Sequence, residues 1–226
     1  MLSKSQIASM LSLQARMNGR VDPGWVQARY PYLRAVVVEG AEAMEHHGWK
    51  WWKKQSLDLP QVQMELVDIW HFILSALLLE HEGDEERTLE SLLAKLEVLA
   101  EIEAGDGVSS EIEFAGVRIR LAELHLLDKL ELLIALAARR RIELAVFAAI
   151  MADCEMSWLG LYRQYVGKNV LNLFRQDNGY KEGHYQKVWG GREDNEHLVD
   201  ILDGLELSRP DLQDAIYEAL RVAYPA

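Results

Sequence analysis

Two acidic pairs in apolar surroundings carry the first chemical signal of this 226-residue chain. Glu39-x-x-Glu42 follows the run Ala35-Val-Val-Val38, and Glu65-x-x-Asp68 is interleaved with Leu66, Val67, Ile69 and Trp70. Residues three apart share one face of a helix. Two such helices packed together would gather four carboxylates into one nest. Four negative charges in a partly buried site need cations to neutralise them. An all-oxygen donor set without cysteine suits a hard divalent ion, Mg2+, with Mn2+ as a substitute. One such pair alone is ordinarily a solvated surface feature; two on successive apolar helices point to a metal site. Asp68-x-x-His71 also has the look of a di-iron carboxylate motif. The first pair offers Met44 and Glu45 rather than His at the matching position, and His46 and His47 fall off that spacing.

A second constellation is basic. Residues 168–192 carry Lys168, Arg175, Lys181, Lys187 and Arg192 against only Asp177 and Glu182, in a chain whose formal net charge is −12. Such an island is where a small polyanion would be held. Lys168, Asn172 and Arg175 are spaced four and three apart, one polar stripe on a helix. Arginine offers a fork for phosphate oxygens, lysine a point charge and asparagine a neutral donor. Glycines 179, 183, 190 and 191 allow close backbone approach, and 178–193 is expected to be a mobile phosphate-binding loop. No Gly-Lys-Ser/Thr follows a strand, so this is not a Walker loop. Between the two constellations, Trp49-Lys-Trp-Trp52-Lys-Lys54 places three tryptophans directly after the first acidic helix. They could pack a helix end or form a wall of the site, with Lys50 near phosphate.

Composition narrows the class. At 50% apolar and 27% charged, the chain reads as a soluble globular protein, long enough for one sizeable domain over 1–226. The longest uninterrupted apolar run, 144–152, has nine residues, and the first residues lack the h-region of a signal peptide, so neither membrane nor export is expected. The net charge argues against a general nucleic-acid binder. A single cysteine, Cys154 in an apolar stretch, excludes an internal disulfide and fits a reducing cytoplasm.

The elements that must position these groups are helical. Period-3.6 patterning predicts an all-α helical bundle with helices over 3–18 (ended by Gly19), 31–48 (Pro31 first) and 60–82 (opened by Asp58 and Pro60, closed by Gly83). Further helices are expected over 84–103, 117–138 and 141–177, the last breaking near Gly160 or Gly167, with two short ones over 194–205 and 210–222. No stretch shows sustained strand alternation with hairpin turns. The Glu- and Leu-rich segment 84–138 carries no evident chemistry and reads as scaffold or dimer surface.

Together these residues resemble the dimeric dUTPase family, all-α nucleotide pyrophosphatases related to the MazG group. The resemblance is carried by Leu13-Gln14 with Asn18, and by Glu39-x-x-Glu42 running into Gly48-Trp-Lys-Trp-Trp-Lys53. Glu65-Leu-Val-Asp-Ile-Trp-His-Phe72 and the segment 167–195 complete it. It implies that Glu39, Glu42, Glu65 and Asp68 ligate Mg2+, that Gln14 and Asn18 read the uracil edge, and that Phe72 stacks on the base. It further implies that Lys168, Asn172, Arg175, Tyr180, Lys187 and Asn195 hold the phosphate chain. Trp49 and Lys50 join the substrate-binding set on their residue types and position alone. The implied reaction converts dUTP, and dUDP, to dUMP in a homodimer. A relative with another base preference, such as dCTP, or a nucleotide-sensing homologue without catalysis, are the alternatives.

Overall fold

A computed structural model describes residues 2–104, 111–206, 209 and 211–225. Its axis is α4 (Leu59–Glu80), flanked by α1 (Lys4–Val21), α3 (Tyr32–His47), α5 (Glu85–Ala104) and α8 (Trp158–Asp177). Because neighbours cover it on several sides, α4 is apolar nearly all round. Val62, Leu66, Ile69, Trp70, Ile73, Leu74 and Leu78 are buried, each stabilising the fold by about 1.5–3 kcal/mol. By length and composition α4 could cross a membrane, yet 72% of its most apolar stretch is buried inside the bundle. That is the signature of a core helix.

Local chemistry sets the helix ends. Ser3 caps α1 in a capping box with Gln6, Asp58 accepts from the Gln61 amide ahead of α4, and Gly48 ends α3 in the left-handed conformation. A four-residue helix, α2 (Trp25–Ala28), joins α1 to α3. The segment 84–138, expected as scaffold or dimer surface, supplies α5 and α6 (Leu126–Ala138), the latter packed along the acidic helix α3.

Two element predictions are corrected. The expected helix over 117–138 is only α6; before it come strands β1 (Glu111–Phe114) and β2 (Val117–Arg120) and the 3-10 turn Leu121–Glu123. Glu-Ile-Glu-Phe and Val-Arg-Ile-Arg alternate with period two about Ala115-Gly116. Both of those residues have positive φ, the turn a right-twisted hairpin favours. The expected helix over 141–177 is α7 (Leu144–Asp153) and α8, bent by 97°. The break falls at 154–157, not at either glycine. Glu155 adopts φ 54°, the Met156 amide reaches back to the Met151 carbonyl, and Ser157 caps α8 through the Gly160 amide.

The glycines inside helices serve close packing. A Cβ on Gly40, between the first two acidic residues, would lie 2.8 Å from Ile134 on α6. One on Gly167, next to Lys168, would lie 2.7 Å from Leu202 on α9 (Asp194–Asp203). The Gly-rich segment is organised rather than featureless. Strands β3 (Val188–Trp189) and β4 (Arg192–Glu193) pair across Gly190-Gly191, and Trp189 is buried. Its ring meets Phe174, Tyr185 and Tyr224, the last following α10 (Leu212–Ala223).

Gly167→Ala tests this packing. Helix propensity alone would favour alanine by about 1 kcal/mol. Leu202 is buried and must shift, so the net effect should be a loss of about 1–2 kcal/mol, read as a lower midpoint in urea denaturation. Leu202→Ala in the same chain should make Gly167→Ala stabilising.

Candidate active site

The packing of α3 on α4 brings the acidic pairs together. One carboxylate oxygen each from Glu39, Glu42 and Glu65 lies within 4.8 Å of the others. Glu65 is buried, Glu39 half-buried and Glu42 exposed, so the cluster opens on one side. Burial, followed by the repulsion of Asp68, Glu65 and Glu42, raises the Glu39 carboxyl to about 8. Burial, with Asp68 and Glu42, raises Glu65 to about 7. Converging oxygens that resist ionisation in the absence of a cation fit a hard divalent metal. Asp68 sits beside the trio, with Oδ2 3.1 Å from the buried Lys168 Nζ. His46, which the sequence reading set aside, comes within 3.5 Å of Glu65.

Glu39 and Asp68 also line a cavity of about 770 Å3 between α1, α3, α4 and α8. Gln14, Asn18, Phe72, Lys168, Asn172, Arg175 and Tyr180 share its wall. The structure assigns the two amides different work. Gln14 Nε2 donates to Ser75 Oγ (2.8 Å) and to Asn18 Oδ1 (3.1 Å), and Gln14 Oε1 lies 2.8 Å from the Tyr165 hydroxyl. Gln14 therefore has donors and acceptor engaged by the protein. Asn18 Oδ1 also accepts from Ser75 (3.2 Å), while its Nδ2 has no partner among the described residues. The amide of Asn18 is thus fixed with its donor unanswered.

Ser75 and Tyr165 escaped the sequence reading; a lone serine in an apolar helix, one turn after His71, was the only available signal. His71 lies beside the carboxylate group, with Nδ1 4.0 Å from Asp68 Oδ1. Its Nδ1 donates to the Val67 carbonyl (2.8 Å), its ring stacks on Tyr165 at 4.2 Å, and burial pushes it down to about 4, so it is neutral. Trp25, Tyr30 and Tyr32 add an aromatic wall that the sequence did not announce.

Lys168, Asn172 and Arg175 form one stripe of α8, but Arg175 is largely occupied. Its Nε and Nη2 each lie 2.8 Å from an oxygen of the fully buried Asp194, and Nη1 donates to Asn172 Oδ1 (2.9 Å). Tyr180 lies beneath the guanidinium at 6.0 Å. Burial alone would raise the Asp194 carboxyl, yet Arg175 and the Tyr185 hydroxyl hold it below its usual value. Asn195 lies 3.5 Å from Arg175 Nη2 and lines a smaller recess of about 320 Å3 that shares Lys168.

Of the predicted residues that do not line the large cavity, Glu42 and Glu65 belong to the carboxylate cluster and Asn195 to the smaller recess, while Lys187, Trp49 and Lys50 reach none of these. Lys187 pairs with Glu193 at 3.0 Å on the surface. Trp49 and Lys50 both turn to Glu45, because Gly48 ends α3 and the following turn folds back locally. Trp51 and Trp52 meet Trp49 edge-to-face and are 85% and 59% exposed.

Comparison with known proteins adds one match. A family model described as dUTPase covers residues 6–180, which include the carboxylate cluster and the residues named above on the wall of the larger cavity. No curated protein matches the chain.

Raised carboxyl groups have a consequence for stability. The folded, metal-free protein holds protons on Glu39 and Glu65 that the unfolded chain releases near pH 4.5. Binding more protons when folded means that stability falls as pH rises from about 4.5 to about 8. The metal-free melting temperature should decline across that window, and Glu39→Gln should flatten the decline. A scan by differential calorimetry in chelator, with and without the substitution, checks this.

Proposed function

The chain belongs to the all-α dUTPase family, and from that premise we propose that it hydrolyses dUTP to dUMP and pyrophosphate, and dUDP to dUMP and phosphate, with Mg2+ as cofactor. The observation that carries this reading is the continuity of one cavity. It runs from a fixed amide donor at Asn18, past carboxylates Glu39 and Asp68, to the cationic stripe of α8. A deoxynucleotide needs those three chemistries in that company: base recognition, metal, phosphate.

Glu39, Glu42, Glu65 and Asp68 would hold Mg2+, with Mn2+ as a substitute. When bound, the metal would neutralise the carboxylates and polarise the phosphate oxygens. Either Glu39 or Glu42 orients the attacking water and takes its proton. Lys168 stabilises charge on the departing phosphate, and Arg175, held by Asp194, presents its remaining N–H edge with Asn172, Tyr180 and Asn195 beside it. Phe72 supplies an apolar face for the base. Gln14 orients Asn18, whose Nδ2 donates to a uracil carbonyl; the 4-amino group of cytosine would meet that donor with another donor. Lys187, Trp49 and Lys50 have no place in this account unless the chain around them moves. Homodimer formation and a cytoplasmic location belong to the same reading, and the exposed Trp51 and Trp52 offer a surface that a second copy would cover.

Excess EDTA should abolish turnover and added Mg2+ restore it. Glu42→Gln should lower kcat by about 10³-fold, since ligand charge and water activation go together, while the far-UV circular dichroism stays native. Full activity in EDTA would overturn the metal reading.

Base selectivity is the sharper measurement. A site whose polar groups are left unpaired by the wrong base discriminates by about 10⁴-fold, so dUTP should exceed dCTP in kcat/KM by that order. Gln14→Ala should raise KM and erode this ratio more than it lowers kcat. Equal turnover of dUTP and dCTP by the unaltered protein would leave a metal-dependent pyrophosphatase of another base preference, and binding without turnover a nucleotide sensor.

A further inference from the structure

Lys168 is 6% exposed, and a buried ammonium persists only with a partner. Among the described residues, its one carboxylate within ion-pair distance is Asp68, at 3.1 Å. Asp68 is one turn from Glu65 on the same helix, so this lysine is the built-in counter-ion of the acidic nest. Its four-carbon stem is flexible, and it lies on the wall of the large cavity as well as the smaller recess beside Asn195. We propose that Lys168 competes with the metal at Asp68, so that metal binding releases it to the phosphate chain and metal and nucleotide bind as a coupled pair. The proposal rests on the metal-dependent reading above.

The physical argument is one of charge. With the nest metal-free, Lys168 offsets part of the repulsion among Asp68, Glu65 and Glu39. A divalent ion in the nest turns that same ammonium into a like-charged neighbour and takes over its partner. Metal alone is therefore opposed by a buried, newly unpaired cation. A triphosphate supplies the missing anion, so each ligand raises affinity for the other by the same factor, as linkage requires. The coupling also orders events: the carboxylates are not fully metal-loaded until a phosphate is present to receive Lys168.

Binding of Mn2+ followed by electron paramagnetic resonance tests this without turnover. The unaltered protein should bind Mn2+ at least about tenfold more tightly in the presence of α,β-imido-dUTP than in its absence. Lys168→Met should bind Mn2+ alone about tenfold more tightly than the unaltered protein, because one close positive charge is gone, and should lose most of the coupling. Lys168→Gln serves as a second neutral replacement should the Met variant fail to fold, and Lys168→Arg, which keeps the charge, should retain the original weak affinity. Equal Mn2+ affinity with and without the analogue, or no gain in the neutral variants, would overturn the proposal while leaving the metal site standing. Absence of Mn2+ binding in every variant, with and without the analogue, would remove both.

Discussion

Carboxylates held close together in a low-dielectric setting repel one another and resist losing their protons, and that tension organises this molecule. Glu39, Glu42 and Glu65 are brought into proximity by α3 packing on α4, and the fold contributes only partial relief through Lys168. The core meets this demand with rigidity. α4 is buried almost throughout, α6 closes on α3 where Gly40 leaves room, and the helix backbones that carry the carboxylates are held by that packing. Binding energy that a cation gains in such a site comes from strain the apolar core has already imposed.

Specificity at the far end of the cavity has a different origin. An isolated asparagine amide is ambiguous, since its donor and acceptor can exchange by a half turn. Here Gln14 and Ser75 both donate to Asn18 Oδ1, so only one orientation is satisfied. Gln14 is oriented in turn by Tyr165 and by Ser75, whose hydroxyl is also 3.0 Å from the His71 carbonyl. A chain of neutral hydrogen bonds through three helices thus converts an ambiguous side chain into a defined donor.

At the phosphate end, tertiary structure adds a brace. Arg175 and Asp194 face each other across the junction of α8 and α9 in a bidentate, buried pair, with Tyr185 and Asn172 completing the shell. Breaking such a pair is costly, whereas its presence fixes one guanidinium edge in place. Asp194, Tyr185, Trp189 and Tyr224 lie beyond the residues matched by the family model, so the C-terminal helices support the cavity from outside the shared region.

The sequence by itself determined the all-α class, the two acidic helices and the polar stripe of α8 through local periodicity. It pointed to Gln14, Asn18, Phe72 and Tyr180 through motifs shared with a family, but not to the aromatic wall of Trp25, Tyr30 and Tyr32. It missed the 111–120 hairpin, whose strands are only four residues each, and misplaced the α7–α8 break, which depends on a left-handed Glu155 and a serine cap rather than on glycine. Only the tertiary structure decided which side chains engage one another. Asp194 is nineteen residues from Arg175, Ser75 sixty-one from Gln14, and Tyr165 one hundred and fifty-one from Gln14. Spacing along a helix predicts which face a residue occupies, but hydrogen-bond and ion-pair partners are set by which helices pack together, and that is a property of the whole core.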